Sequence, residues 1–288
     1  MSELVGPVLA WYETNARDLP WRRPSASPWA VMVSEFMLQQ TPVARVLDTY
    51  EQWLRTWPTP ASLAADSPGA AVRAWGRLGY PRRALRLHDA ARAIVMDHGG
   101  EVPSSLEALR RLPGVGDYTA AAVASFAFGQ RHPVLDTNVR RVLARTVSGR
   151  QFPPASVRAS ERVLAATLLP DAPAEAAAWA VASMELGALV CTARSPRCGA
   201  CPVADRCSWR RAGFPEYDGP PRRKQTYADS DRECRGRLLA VVREAEGAVP
   251  RSTLTAVWAD ATQRERCLTG LVTDGLVTAH PDNTFALP

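Results

Sequence analysis

Apolar residues recur every three or four positions along most of the first 190 residues, with short polar breaks between the stretches. This spacing is typical of amphipathic helices, and no stretch shows the period-two alternation of a half-buried strand. The clearest helix follows Thr41 and Pro42, predicted as its N-cap and first helical residue, with an apolar stripe from Val43 to Trp57. Further helices are predicted at 70–77, 82–96, 104–111 (with Ser104 and Glu107 as a capping box), 119–128, 138–147, 157–168 and 174–189. The pattern therefore predicts a mainly α fold.

The pattern changes after residue 213. Residues 214–230 are rich in proline and arginine, lack apolar periodicity and are predicted to form a linker. Beyond it, helices are predicted at 235–246, 252–258 and 260–274, followed by two short strands around a turn at 282–283. Three helices followed by a hairpin is the element order of a winged helix. We therefore predict a small winged-helix-like module at 231–288.

Composition narrows the class of protein. The chain has 288 residues, of which 46% are hydrophobic and 22% charged, as in an ordinary globular protein with a sizeable core. No apolar run approaches the roughly eighteen residues of a membrane span, and the N-terminus lacks the pattern of a signal peptide. We expect a cytoplasmic monomer with no membrane partner. The net charge of +6 permits a polyanionic partner without requiring one.

A glycine motif stands between two predicted helices, in the sequence L-P-G-V-G-D-Y-T at 112–119. Two glycines allow a tight turn whose backbone N–H groups, with the N-terminus of the next helix, can hold a phosphate. A plain turn between helices is the alternative, but the full motif favours binding of a nucleic-acid backbone regardless of its sequence. The residues predicted to contact DNA here are Gly114, Val115, Gly116 and Thr119.

Four of the six cysteines lie close together as C-x6-C-x2-C-x5-C, at Cys191, Cys198, Cys201 and Cys207. In a cytoplasmic protein such crowding favours a metal centre over disulfides. The spacing alone suits zinc, the generic metal for four cysteines.

The glycine motif resembles that of the helix-hairpin-helix DNA glycosylases, the superfamily of endonuclease III and MutY. The similarity covers about residues 6–212 and includes R-x-L-P-W-R at 17–22. It implies a two-lobed glycosylase domain at 1–213, with a helical barrel at about 24–131 and a cluster lobe from 1–23 and 132–213. In this superfamily the cysteine spacing is that of the cluster loop, which implies a 4Fe–4S cluster. The residues after 212 are too few for the Nudix-like C-terminal domain usual in MutY-type adenine glycosylases, so we expect no counterpart of it.

The resemblance also singles out two carboxylates. Asp136 follows the hairpin where the family carries its catalytic aspartate, although an Asp at a helix start also serves as an N-cap. Glu35 lies in S-E-F-M-L-Q-Q-T, which resembles the MutY helix that carries the catalytic glutamate. Its apolar neighbours predict a raised pKa and a general acid, whereas an exposed helix surface is the usual place of a glutamate.

The implied chemistry is cleavage of an N-glycosidic bond. Glu35 would protonate N7 of adenine, Asp136 would stabilise or attack C1′, Asn138 would orient Asp136, and Tyr118 would line the pocket. Tyr118 holds the position of the Schiff-base lysine of endonuclease III-like lyases, and the single lysine, Lys224, lies in the predicted linker. We therefore expect a monofunctional enzyme of base excision repair that releases adenine mispaired with 8-oxoguanine or guanine.

A glycosylase must extrude its target base and fill the gap that remains in the stack. The sequence G-R-L-G-Y at 76–80 resembles the family's G-L-G-Y loop, which implies that Tyr80 intercalates beside the unpaired partner base with support from Leu78. Gln40 and Thr41 are implied to lie against the same base. Outside this context Tyr80 would be interpreted as a half-buried surface tyrosine.

Two alternative functions remain. The first is a thymine or uracil mismatch glycosylase on the same scaffold, which Glu35 argues against because a general acid suits a purine N7 leaving group. The second is a non-catalytic iron–sulfur DNA-binding protein, which the joint presence of Glu35, Asp136 and Tyr118 argues against. In each case the expected partner is double-stranded DNA, containing a mispair if the protein is an enzyme. We also expect deletion of 220–288 to leave the partner-base preference almost unchanged.

Overall fold

The computed structural model describes residues 3–219 and 227–288, and these are mainly helical as predicted. The α-helices of the described residues are α1 Val5–Asn15, α2 Pro28–Leu38, α3 Val43–Thr56, α4 Pro60–Ala64, α5 Pro68–Trp75, α6 Arg82–His98, α7 Leu106–Arg111, α8 Asp117–Phe128, α9 Thr137–Thr146, α10 Ala159–Thr167, α11 Pro173–Leu189, α12 Ser208–Arg211, α13 Asp231–Glu244, α14 Arg251–Thr255 and α15 Ala261–Thr273. The strands are β1 Val249–Pro250, β2 Thr278–Ala279 and β3 Thr284–Ala286. No helix among the described residues is long and apolar enough to cross a membrane.

The chain divides into two compact units. The first comprises Met1–Met32, Ser104–Arg111 and Val115–Pro221, and the second comprises Val33–Pro103, Leu112–Gly114 and Arg222–Pro288. These bounds differ from the lobes expected from the sequence at 24–32, 104–111 and 115–131. In the last of these ranges, α8 packs in one apolar cluster with α11 through Ala122 and Ala180. The C-terminal elements group with α3 to α6 in the second unit.

The core of the first unit forms where α1, α9 and α11 bury apolar side chains together, among them Val8, Val142 and Leu186. A buried carboxylate ties the N-terminal segment to this core. Glu185 of α11 is fully buried and accepts two hydrogen bonds of 2.7 Å from the Arg17 guanidinium, with Arg22 at 3.0 Å. Ionic hydrogen bonds on both oxygens offset the cost of burying the charge.

The core of the second unit contains three tryptophans with edge-to-face contacts. Trp53 of α3 lies 4.6 Å from Trp57 and 5.6 Å from Trp75 of α5, centroid to centroid. Leu63 of α4 and Leu87 of α6 are fully buried in the same unit. The stripe predicted along α3 is therefore a core face that includes Trp53.

The C-terminal elements follow the predicted winged-helix order, with one addition. Strand β1 precedes α14 and pairs antiparallel with β3, which also pairs with β2, so the sheet order is β1-β3-β2. Asn283 takes a left-handed φ of 62° in the turn between β2 and β3, as an Asn tolerates. Cys234 of α13 and Cys267 of α15 are buried. Of the predicted linker, residues 220–226 lie outside the described residues.

Two predicted helix caps are wrong. Ser105, rather than Ser104, caps α7, because its Oγ accepts the N–H of Ala108 at 3.2 Å. Pro42, rather than Thr41, is the N-cap of α3, with extended backbone and no side chain that can accept a hydrogen bond. Thr41 instead donates to the carbonyl of Leu78 at 3.3 Å.

Candidate active site and cysteine loop

The glycine hairpin connects α7 to α8. Gly114 has a left-handed φ of 76°, and a Cβ there would lie 2.7 Å from Cβ of Arg86 and 3.0 Å from Phe36. Glycine is therefore required at this position both by conformation and by close packing. Gly116 is the extended N-cap of α8 and has no side chain to occupy the first-turn N–H groups of that helix. Such N–H groups at a helix N-terminus are suited to a phosphate.

Asp136 is the N-cap of α9, and both of its oxygens accept short hydrogen bonds. Oδ1 accepts the backbone N–H of Val139 at 2.6 Å, and Oδ2 accepts the amide of Asn138 at 2.7 Å. Burial raises the pKa of Asp136, although these hydrogen bonds partly oppose the effect. Asp136 is therefore the N-cap of α9 and the candidate catalytic carboxylate at the same time.

Arg141 of α9 binds the amide oxygen of Asn138. This arginine is not among the site residues predicted from the sequence. Its Nη2 donates to Oδ1 of Asn138 at 2.8 Å and to the carbonyl of Gly187 at 2.7 Å. Its Nε donates to the carbonyl of Cys191 at 2.7 Å. A continuous set of hydrogen bonds therefore runs from Asp136 to the backbone of the first loop cysteine.

The four loop cysteines line one pocket. Among the described residues, no group of three or more His, Cys, Asp or Glu side chains is gathered closely enough to hold a metal ion. Burial, together with the neighbouring thiolates, raises the pKa of Cys201 to about 11. Arg145 donates to Sγ of Cys191 at 3.3 Å and brings positive charge to the pocket. Four thiols in one pocket beside a guanidinium are the donor set of an iron–sulfur cluster.

Glu35 lies on α2 and is only 5% exposed, so the expectation of an exposed surface glutamate does not apply. Its chain neighbours Ser34 and Phe36 are buried as well. The side chain is therefore largely removed from water.

The Tyr80 loop, residues 76–81, connects α5 to α6. Gly76, Gly79 and Tyr80 all have positive φ, and the value of 47° at Tyr80 is unusual for a residue with a bulky side chain. The Tyr80 side chain is nevertheless 41% exposed, whereas Leu78 is buried. The loop thus keeps the ring of Tyr80 at the surface while it buries the side chain of Leu78.

Arg83 joins the Tyr80 loop to the end of α2. Its guanidinium donates to the carbonyls of Met37 at 2.9 Å, Gln39 at 2.6 Å and Gly79 at 2.9 Å, and to Oγ1 of Thr41 at 2.9 Å. Burial lowers the pKa of Arg83 to about 10. The sequence contained no motif that singled out this arginine.

The candidate residues belong to both units. The second unit contains Glu35, Gln40, Thr41, Leu78, Tyr80 and Gly114. The first unit contains Val115, Gly116, Tyr118, Thr119, Asp136, Asn138, Cys191, Cys198, Cys201 and Cys207. In the first unit, direct contacts join Asp136 to Asn138. In the second, Thr41 donates to the Leu78 carbonyl.

Comparisons with known proteins identify the family and the fold. Residues 33–164 match the HhH-GPD superfamily of base excision DNA repair proteins, and residues 191–207 match the iron–sulfur binding domain of endonuclease III. The second match confirms the predicted 4Fe–4S cluster loop. A solved thermostable thymine-DNA glycosylase has a TM-score of 0.64 at 28% identity, over 72% of this chain and 95% of that one. A trapped endonuclease III–DNA covalent intermediate, at 21% identity and a TM-score of 0.63 over 74% of this chain and 96% of that one, shows the same fold.

An adenine DNA glycosylase of Mycobacterium tuberculosis is 55% identical over 98% of this chain and 92% of its own length. The similarity therefore extends past residue 212 into the C-terminal elements, farther than the motifs indicated. The chain belongs to the adenine DNA glycosylases, a family of the HhH-GPD superfamily of base excision DNA repair proteins.

Proposed function

We propose that this protein is a monofunctional glycosylase that releases adenine mispaired with 8-oxoguanine or guanine in double-stranded DNA. The observation that carries the proposal is the Asp136 carboxylate, held by two hydrogen bonds of 2.6 and 2.7 Å and partly shielded from water. A fixed anion in a desolvated setting stabilises positive charge that develops on a sugar more strongly than a solvated one does. We infer that residues 1–213 carry this chemistry, with 231–288 as an appended winged-helix-like module beyond a linker at 214–230.

Glu35 supplies the proton in this scheme. Protonation of adenine N7 turns the base into a better leaving group, and the buried carboxyl group of Glu35 is the proposed donor of that proton. Bond cleavage leaves an oxocarbenium-like sugar, which Asp136 stabilises or traps before water completes the hydrolysis. Tyr118 lines the pocket where a lyase has its lysine, so no Schiff base forms there.

DNA binding is proposed to use the glycine hairpin and the Tyr80 loop. The N-terminus of α8 holds a phosphate, which fixes the position of the duplex without selecting a sequence. Tyr80 fills the gap left by the extruded adenine, and Gln40 and Thr41 lie against the partner base. We propose that the protein acts as a monomer on this duplex.

Cys191, Cys198, Cys201 and Cys207 hold the cluster in this proposal. These four side chains would ligate the cluster as thiolates, and its iron would supply the positive charge that thiolate ligands require. Arg141 then holds the Cys191 carbonyl and the Asn138 amide in one arrangement, so an ordered loop keeps Asp136 oriented.

Thymine release is the second candidate, favoured by the similarity of fold to a solved thymine-DNA glycosylase. Glu35 separates the two hypotheses because a thymine anion leaves without protonation of a purine nitrogen. The experiment uses purified protein with duplexes that contain adenine, thymine, uracil or hypoxanthine opposite guanine or 8-oxoguanine, followed by alkali cleavage of abasic sites. Release of adenine supports the proposal, and release of thymine without adenine refutes it.

The residue roles are tested on the same duplexes. We expect Glu35→Gln and Asp136→Asn to abolish adenine release and to preserve duplex binding, since phosphate contacts do not use these carboxylates. Glu51→Gln, a change of the same type on the exposed face of α3, is the control and should retain full activity. Parallel loss of binding and release would instead indicate a structural role for the two carboxylates.

A further inference from the structure

The C-terminal elements contact both ends of the Tyr80 loop. At its first residue, Arg243 of α13 donates to the carbonyl of Gly76, while Arg73 of α5 donates to the carbonyl of Arg243. Just past its last residue, Arg82 forms an ion pair of 3.3 Å with Asp274, which follows α15. Arg243 is half-buried, whereas the Arg82 side chain is exposed, so the contact of Arg243 is the one better shielded from water. The loop is therefore fixed from the C-terminal side at both ends.

A third contact involves the aromatic ring itself. Arg232, in the first turn of α13, places its guanidinium carbon 4.8 Å from the centroid of the Tyr80 ring. Arg83 lies 5.5 Å from the same centroid. Both distances are within the range of a cation–π contact, which restrains the orientation of an otherwise exposed ring. Arg232 also lies 5.7 Å from the ring of Tyr227, which is exposed.

We propose that Arg232 is a positioning residue that presents the Tyr80 ring to the base opposite the target adenine. This inference rests on the proposed function, in which Tyr80 inserts beside that base. A ring that is already oriented loses less conformational freedom on insertion, so its contacts with the partner base contribute more fully to the transition state. The C-terminal elements thus contribute to partner-base discrimination through a residue of the catalytic domain.

This arrangement changes the expectation for a truncated protein. In the sequence, Tyr80, Gln40 and Thr41 all lie in the glycosylase domain at 1–213. The sequence alone therefore predicts that loss of 220–288 leaves the partner-base preference almost unchanged. The structure instead places three contacts to the Tyr80 loop and its flanks in the C-terminal part, through Arg232, Arg243 and Asp274. Removal of that part takes away these three contacts, so we expect the partner-base preference to fall.

The test measures single-turnover rates of adenine release opposite 8-oxoguanine and opposite guanine with the full-length protein and its cluster. For Arg232→Ala we expect the ratio of these rates to fall about two- to fivefold, which corresponds to an exposed cation–π contact. Arg232→Lys keeps a cation and should restore part of the ratio. Arg237→Ala is the matched control, because it removes an exposed arginine of the same helix that packs on Trp258. Its ratio should stay at the wild-type value.

A double-mutant cycle with Tyr80→Ala separates positioning from simple charge. If Arg232 acts through Tyr80, its removal should change the ratio little once the ring is absent. If Arg232→Ala weakens binding of both duplexes equally and leaves the ratio unchanged, Arg232 is a phosphate contact and the inference is wrong. Failure of the wild-type protein to release adenine would overturn the proposed function itself, which is a separate outcome.

Discussion

Gly187 offers a sharp test of how closely α9 and α11 must pack beneath the candidate site. A Cβ at this position would lie 2.7 Å from Cβ of Asn138 and 2.9 Å from its carbonyl carbon and oxygen. Because two of these atoms belong to the backbone, a rotamer change cannot relieve the clash, and the helices must separate by several tenths of an ångström. Asn138, which donates to Asp136, would move with its backbone.

Two opposing effects determine how much Gly187→Ala changes the free energy of unfolding. Replacing a glycine within a helix stabilises by roughly 0.5–1 kcal/mol, whereas overpacking a core costs about 1–3 kcal/mol. We expect a net loss of about 1–2 kcal/mol, and a thermal midpoint lower by about 2–4 °C for each kcal/mol. A misplacement of about 1 Å can cost roughly a hundredfold in rate, so a shift of several tenths of an ångström should slow adenine release about tenfold.

The assay combines thermal unfolding, iron content and single-turnover adenine release. Gly6→Ala in α1 is the matched control, because no atom lies within 4 Å of a Cβ built there. That variant should gain roughly 0.5–1 kcal/mol and keep the wild-type rate. If Gly187→Ala proves as stable and as active as Gly6→Ala, the close contact with Asn138 does not control the site.

Three further predictions address charge and metal. Burial acts to raise the pKa of Glu185, but its hydrogen bond to Arg17 and the nearby charges outweigh burial, so the pKa is lowered. The ionised carboxylate therefore stabilises the fold above the ordinary glutamate pKa, and this stabilisation is lost as the pH falls through the lower pKa of the folded protein. In unfolding measurements, Glu185→Gln should make stability depend less on pH in this acid range. Burial raises the pKa of Asp136, and because the proposed mechanism uses its ionised form, the adenine-release rate should start to fall on acidification at a higher pH than an ordinary aspartate would give. The purified protein should absorb near 400 nm and contain about four irons per chain, and Cys234→Ser and Cys267→Ser should retain them, whereas one zinc in a colourless protein would contradict the cluster.

The features that the sequence predicted well are those that depend on short-range patterns. Each of these features lies within a stretch of fewer than twenty residues: the apolar stripe of α3, the glycine turn before α8 and the spacing of the loop cysteines. Their residue types are required by local geometry, such as the left-handed φ of Gly114. The same holds for Asp136, whose side chain bonds only two and three residues ahead along the chain.

The contacts that hold these parts together depended on the folded structure. Arg83, Arg141 and Glu185 looked like ordinary charged helix residues in the sequence, yet each is buried and bound to groups far away along the chain. A guanidinium has five donors and satisfies them only where several carbonyls converge, which happens once helices have packed. The contact of Arg232 with Tyr80 has the same origin, because 152 residues separate the two positions and only tertiary packing brings α13 to the Tyr80 loop.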